Sequence, residues 1–159
     1  MALPFDYADG AGVDFEPFTA FLSAEETTAW FRAWTGNGEP QGDDLWPFGQ
    51  DGSGGYAAFW LVRPGRPLAD QPVVFLGSEG ETGVVARDLG AFLWLLADGF
   101  GPLEAATSCQ PGWTPRPNQE MAAVAERFAP GLRQPAAMVI EQAAEEFLHF
   151  TDSIVALCR

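Results

Sequence analysis

The chain contains no lysine, a single histidine and only two cysteines among its 159 residues. Without lysine it has no Schiff-base nucleophile and cannot complete a Walker-type phosphate loop. One histidine and two widely separated cysteines are too few for a zinc site of the usual ligand types. These absences exclude several common catalytic chemistries and favour a function that depends on binding.

The two cysteines, Cys109 and Cys158, match no metal-binding or redox spacing, and they are too few for a disulfide framework. The N-terminal segment MALPFDYADG lacks the basic start and the apolar run of a secretory signal. No stretch approaches the ~18 consecutive apolar residues that a membrane-spanning helix needs. We therefore expect a cytoplasmic protein.

Carboxylates are abundant in this sequence. There are 22 acidic residues against 8 basic ones, all arginine, so the formal net charge is −14 and the pI is near 4.1. Such a chain repels phosphate backbones and anionic lipid surfaces, so we expect neither nucleic acid nor a membrane as its partner. It attracts basic proteins instead. Codon bias towards GC-rich codons and a need for solubility are alternative explanations of the acidity.

The order of predicted elements indicates a single α+β domain over residues 1–159. Ser23 and Glu26 form a capping-box pattern, which predicts the start of a helix. Apolar runs later in the chain predict buried strands, and Asp88 is typical of a helix N-cap. The predicted strands cover 56–62, 73–76 and 84–86. The predicted helices cover about 23–35, 89–96, 119–129 and 135 to near the terminus. Residues 1–22 and 99–117 are predicted to be irregular.

Catalytic and metal-binding patterns are weak. His149 falls on the polar side of the last predicted helix among carboxylates, and we interpret it as a solvated residue. The segment 50–55 superficially resembles the loop around the nucleophilic serine of trypsin-like proteases, but its residue order differs, and its glycines predict a tight turn. Asp43, Asp44 and Asp51 offer oxygen ligands for calcium, yet the EF-hand spacing is absent. We predict no catalytic residue, no metal ligand and no cofactor.

A longer pattern covers residues 23–99. A helix and a glycine-containing loop come first, followed by an aromatic strand, a glycine-rich turn, further apolar strands and a second helix. This order resembles the SUKH superfamily, the Smi/Knr-like family that includes bacterial toxin-immunity proteins and a yeast cell-wall assembly regulator. Residues 100–159 then form a helical C-terminal extension. The segments that carry the resemblance are 35–38, 46–48, 51–55, 56–62, 72–76, 84–86 and 92–93.

The resemblance implies a mixed, largely antiparallel sheet flanked by helices, without an active site. Bacterial members of the family are immunity proteins, which neutralise a toxin encoded beside them by direct binding. Many such toxins act on nucleic acids and have basic substrate clefts. We therefore expect a non-catalytic protein-binding domain whose partner is a basic toxin domain. The alternatives are a regulatory or scaffold module without a toxin partner, and a carboxylate-based hydrolase.

The partner-binding surface is predicted around Trp46, as an aromatic anchor surrounded by negative charge. In the alternative interpretation, Trp46 belongs to the core and the neighbouring aspartates only keep a loop soluble. The predicted partner-binding residues are Asp43, Asp44, Trp46, Asp51, Glu79 and Glu81.

Overall fold

The computed structural model describes residues 12–107 and 112–159. These ranges contain an antiparallel sheet followed by a series of helices, which confirms the predicted α+β class. The strands are β1 (Glu16–Pro17), β2 (Leu45–Gln50), β3 (Tyr56–Trp60), β4 (Val73–Leu76) and β5 (Thr82–Ala86). The helices are α1 (Ala24–Thr35), α2 (Leu89–Ala97), α3 (Pro102–Thr107), α4 (Gln119–Phe128), α5 (Ala136–Glu146) and α6 (Phe150–Val155).

The sheet is a meander in which each strand pairs antiparallel with the next. Because side chains alternate along a strand, Val73 and Phe75 point to one face of β4, and Val74 and Leu76 point to the other. All four are completely buried. Helices α2, α3 and α4 cover the first face, α1 and α6 cover the second, and α5 contributes to both. The near-continuous apolar strands predicted burial on both faces, and the structure confirms it.

Helix α1 begins and ends where the sequence predicts. The backbone N–H of Glu26 donates to Ser23 Oγ at 3.2 Å, and the N–H of Ser23 donates to Glu26 Oε2 at 2.8 Å, so the capping box is complete. Gly36 ends the helix in the left-handed conformation, with φ of 63°.

The end of α1 is tied to the far end of the chain. The buried side chain of Asn37 donates from Nδ2 to the carbonyl of Leu157 at 2.8 Å. The backbone N–H of Arg159 donates to the carbonyl of Thr35 at 3.0 Å. These bonds join residues more than a hundred positions apart, so α6 and the residues after it complete the layer that contains α1.

The steps of three and four between Leu89, Phe92, Leu93 and Leu96 predict one apolar stripe on helix α2. The structure confirms that these residues pack in the core, and it confirms the predicted N-cap. Asp88 Oδ1 accepts a hydrogen bond from the N–H of Ala91 at 2.7 Å. The helix is buried on more sides than one stripe allows, because the sheet lies on one side and α4 on another. Trp94, which lies off the predicted stripe, is 2% exposed and donates from its indole nitrogen to the carbonyl of Ala129 at 2.9 Å.

Two other predictions are wrong. The segment predicted as a loop at 99–117 contains α3, because Pro102 is placed at the start of a helix, where it is tolerated, rather than inside one. The last predicted helix is two helices, interrupted at residues 147–149. Phe147 and Phe150 both pack against Trp60 of the sheet. The regular spacing of apolar residues that predicted one helix does not reveal such a contact.

Of the two cysteines, Cys109 lies outside the described residues and Cys158 is exposed. Across the described ranges, no helix combines the length and the apolar character required to cross a membrane.

Candidate functional site

The six predicted partner-binding residues divide between the two ends of β2. Asp43, Asp44 and Trp46 lie at its start, and Asp51 follows its last residue. A six-residue strand is roughly 20 Å long, so the two groups lie on the order of that distance apart. The structure therefore places the predicted residues in two separate regions.

Asp51 holds the turn between β2 and β3. It is 3% exposed, and its Oδ1 accepts hydrogen bonds from the N–H groups of Ser53 at 3.0 Å and Gly55 at 2.8 Å. The hydroxyl of Ser53 lies 2.8 Å from the same oxygen. The predicted tight turn at 50–55 is confirmed, and the Asp51 carboxylate accepts hydrogen bonds from residues of that turn.

Glu79 and Glu81 lie in the turn between β4 and β5, next to the Asp51 turn. Glu81 Oε2 accepts from the N–H of Glu79 at 3.2 Å, so this carboxylate also stabilises its own turn. The hydroxyls of Ser53 and Ser78 lie 3.2 Å apart and connect the two turns. The structure thus brings together Asp51, Glu79 and Glu81 as turn residues at one end of the sheet.

The start of β2 is different, because the side chains of Asp43, Asp44 and Trp46 are exposed. Trp46 is 44% exposed, and its ring packs edge-on against Phe21, which is 49% exposed, with 5.6 Å between ring centroids. Asp43 and Asp44, in the turn that precedes Trp46 by two residues, are exposed as well. We call Phe21, Asp43, Asp44 and Trp46 the acidic-aromatic surface.

Backbone contacts fix the acidic-aromatic surface in place. The carbonyl of Asp44 accepts from the N–H of Leu61 at 2.8 Å, which extends the β2–β3 pairing by one residue. Asp44 lies in the turn that the N–H of Leu45 closes on the carbonyl of Gly42, two positions before Trp46. A Cβ on Gly42 would contact the side chain and backbone of Thr27, so the loop before Asp43 lies directly against α1.

The negative charge of this surface is not neutralised by arginine. No ion pair to Asp43 or Asp44 occurs anywhere in the ranges 12–107 and 112–159. Four arginines instead pair with carboxylates elsewhere, in the pairs Arg63–Glu146, Arg66–Asp70, Arg87–Glu146 and Arg159–Glu39. The surface therefore presents two aromatic rings and two unneutralised carboxylates to solvent.

Sequence reasoning missed the contribution of Phe21. It treated residues 1–22 as an irregular arm, but two residues of that arm form β1. Phe15 packs against Phe48 within the core, whereas Phe21 lies half exposed on Trp46. The available signal was its position two residues before the Ser23 cap, which directs the chain past β2 into α1.

Sequence reasoning also missed a carboxyl group, that of Glu104 in α3. Burial raises the pKa of this carboxyl, and the charges of Asp14 and Asp51 raise it further. Asp14 Oδ1 also accepts from the N–H of Gly52 at 2.7 Å, so it faces the same turn. This group lies at the Asp51 end of the sheet and links the N-terminal arm, the β2–β3 turn and α3.

The remaining candidates do not converge on one site. His149 is exposed at the start of α6, as its polar-face position predicted. In the described part of the chain, no group of three or more His, Cys, Asp or Glu side chains is arranged to hold a metal ion.

Comparison of this chain with protein-family models, with curated proteins and with solved structures finds no match.

Proposed function

We propose that this chain is a non-catalytic protein-binding domain that neutralises a basic toxin domain by direct contact. The acidic-aromatic surface is the observation that carries the proposal. Exposed tryptophan and phenylalanine side chains surrounded by charge are typical anchors of protein interfaces. The SUKH-like order of elements, with α1 before the strands β2 to β5 and helices after them, is consistent with the same function.

Electrostatics favours a basic partner. A net charge of −14 attracts a positively charged protein over several ångströms and raises its association rate. The carboxylates of Asp43 and Asp44 then occupy positions that substrate phosphates occupy in a nucleic-acid-binding cleft. Because the Debye length falls from about 10 Å at 0.1 M salt to about 3 Å at 1 M, this attraction is screened at high ionic strength.

The positions of the aspartates weigh against the carboxylate-based hydrolase. Such an enzyme needs two carboxylates around one substrate. Asp43 and Asp51 instead lie at opposite ends of β2, and the Asp51 carboxylate already accepts hydrogen bonds from its own turn.

The test is to co-purify the chain with the protein encoded by the adjacent reading frame and to measure their affinity over a range of salt concentrations. We expect a complex whose association rate falls steeply as salt increases. The double variant Asp43→Asn/Asp44→Asn should weaken it by at least tenfold, since hot-spot contacts typically contribute 2 kcal/mol or more, ~30-fold in affinity.

The matched control is Glu141→Gln/Glu145→Gln, which removes the same charge from exposed positions on α5. A general charge effect would weaken both double variants equally and would contradict the assignment of the surface. Absence of a complex, or an affinity independent of salt, would contradict the proposed function. A partner without toxin activity would instead support the regulatory or scaffold alternative.

A further inference from the structure

The mode of recognition at the acidic-aromatic surface is restricted by the closed edge of β2. Pro47 has no N–H group and is fully buried, and the N–H of Leu45 already donates to the carbonyl of Gly42 at 2.9 Å. Strand β1 pairs with Gly49 and Gln50 farther along. A partner strand therefore finds no free donors along this edge, and recognition must use side chains.

The chain itself shows how an aromatic ring and a carboxylate together bind an arginine. The guanidinium of Arg63 lies 5.5 Å from the centre of the Phe147 ring, and the same guanidinium binds the carboxylate of Glu146. Ring and carboxylate belong to adjacent residues, so one short segment provides both the stacking face and the counter-charge.

The acidic-aromatic surface presents the same two groups to solvent. Trp46 and Asp44 are both exposed and lie two positions apart in the chain, so their Cα atoms are at most about 7 Å apart. Elsewhere, arginines lie over the rings of Phe128 and Trp94 as well as Phe147, but in the described ranges no arginine lies over Trp46. Tryptophan provides the strongest aromatic face for a cation.

From this arrangement we infer that Trp46 and Asp44 form a binding site for an arginine side chain of the partner protein. The inference rests on the proposed function and specifies its central contact. A planar guanidinium stacks on the indole while its N–H groups donate to the Asp44 carboxylate. A lysine ammonium shares the charge but is more strongly hydrated and has no planar face, so the site distinguishes the two cations.

The test compares two fluorescein-labelled peptides of equal length and charge, one alternating glycine with arginine and the other alternating glycine with lysine. Fluorescence anisotropy of each peptide with the full chain at about 0.15 M ionic strength gives the two affinities. We expect the arginine peptide to bind about two- to fivefold more tightly, the range expected for a cation–π contact at an exposed site. The NMR spectrum of Trp46→Leu lacks one indole N–H signal, which identifies the Trp46 signal among those of the six tryptophans. The arginine peptide should shift that signal in the wild-type chain.

Two variants with matched controls locate the preference. Trp46→Leu should bind both peptides equally, whereas Phe128→Leu, a change at a 68% exposed ring elsewhere, should retain the preference for arginine. Asp44→Asn should weaken the arginine peptide severalfold more than Glu141→Gln does. The wild-type comparison needs no variant, so it remains decisive if Trp46→Leu fails to fold.

Equal affinity of the wild-type chain for the two peptides would overturn the inference. A preference that persists in Trp46→Leu, or binding of neither peptide, would overturn it as well. Each of these results would leave the proposed function standing if the complex with the basic partner still formed and still weakened in Asp43→Asn/Asp44→Asn. Failure of that complex is a separate result, since it is measured with the partner protein and not with the peptides.

Discussion

Replacement of Asp51 by alanine tests whether this carboxylate holds the β2–β3 turn. Alanine leaves the buried N–H of Gly55 without its acceptor at 2.8 Å, and an unsatisfied buried donor costs about 1–3 kcal/mol. The N–H of the exposed Ser53 turns to water, so its lost bond contributes about 1 kcal/mol or less. We therefore expect the free energy of unfolding to fall by about 2–3 kcal/mol.

Asparagine at the same position is the matched control. Both backbone donors bond to Oδ1, and asparagine retains a carbonyl oxygen that can occupy that position. It also removes one of the charges that raise the pKa of Glu104. Asp51→Asn should therefore change the free energy of unfolding by less than about 1 kcal/mol, in contrast to Asp51→Ala.

Urea denaturation followed by circular dichroism measures both variants, and hydrogen exchange of the Gly55 amide reports on the turn directly. For a chain of this length, about 1 kcal/mol corresponds to roughly 2–4 °C in Tm, so Asp51→Ala should lower Tm by roughly 4–12 °C. Equal losses in the two variants would refute the reasoning, since they would assign the effect to the charge. A stable Asp51→Ala variant with a protected Gly55 amide would refute it too.

Three further predictions concern stability. Glu104→Gln should stabilise the chain at neutral pH and not below about pH 4, as measured by urea denaturation at both pH values. The raised pKa means that the folded state favours the protonated carboxyl, and the stability from this protonation is lost as pH rises through the folded pKa. Partial burial alone would raise the pKa of Glu146, but its bonds to Arg63 and Arg87 lower that pKa overall. Glu146→Gln should therefore lower the free energy of unfolding by about 1 kcal/mol at pH 7. That difference should shrink as pH falls from the ordinary value of 4.5 through the lowered pKa of the folded state, and its persistence below that lowered pKa would contradict the ion-pair explanation. Phe150→Ala, at a ring that is 3% exposed and packs on the sheet, should cost about 3–5 kcal/mol in thermal or urea unfolding, and a loss below about 1 kcal/mol would show that α6 is not docked.

Local signals predicted most of the secondary structure. The capping box at Ser23, the N-cap at Asp88 and the apolar strand at 73–76 each depend on neighbouring residues, and each lies where the sequence placed it. The interruption of the last helix was not predictable in this way, because it accompanies contacts of Phe147 and Phe150 with Trp60.

The candidate site was predictable only in part. Asp43, Asp44, Trp46 and Asp51 are close in sequence and were predicted to belong to one partner-binding surface. The six residues from Leu45 to Gln50 form a strand and separate Asp51 from the others. The exposed Phe21 joins the surface through the path of the chain into α1, and the only local signal of that path is the Ser23 cap two residues later. Side-chain identity therefore indicated the chemistry of the surface, and only the fold selected its members.

The attachment of α6 and the residues after it to α1 has a consequence for synthesis of the chain. The sheet is complete once Ala86 has been made, but one of its faces is covered in part by Phe150 and Ile154. At roughly 5–20 residues per second, the ribosome needs about 3–14 s to proceed from Ala86 to Ile154. During that interval the nascent chain exposes part of an apolar sheet face, and a chaperone that binds extended hydrophobic segments has its opportunity then.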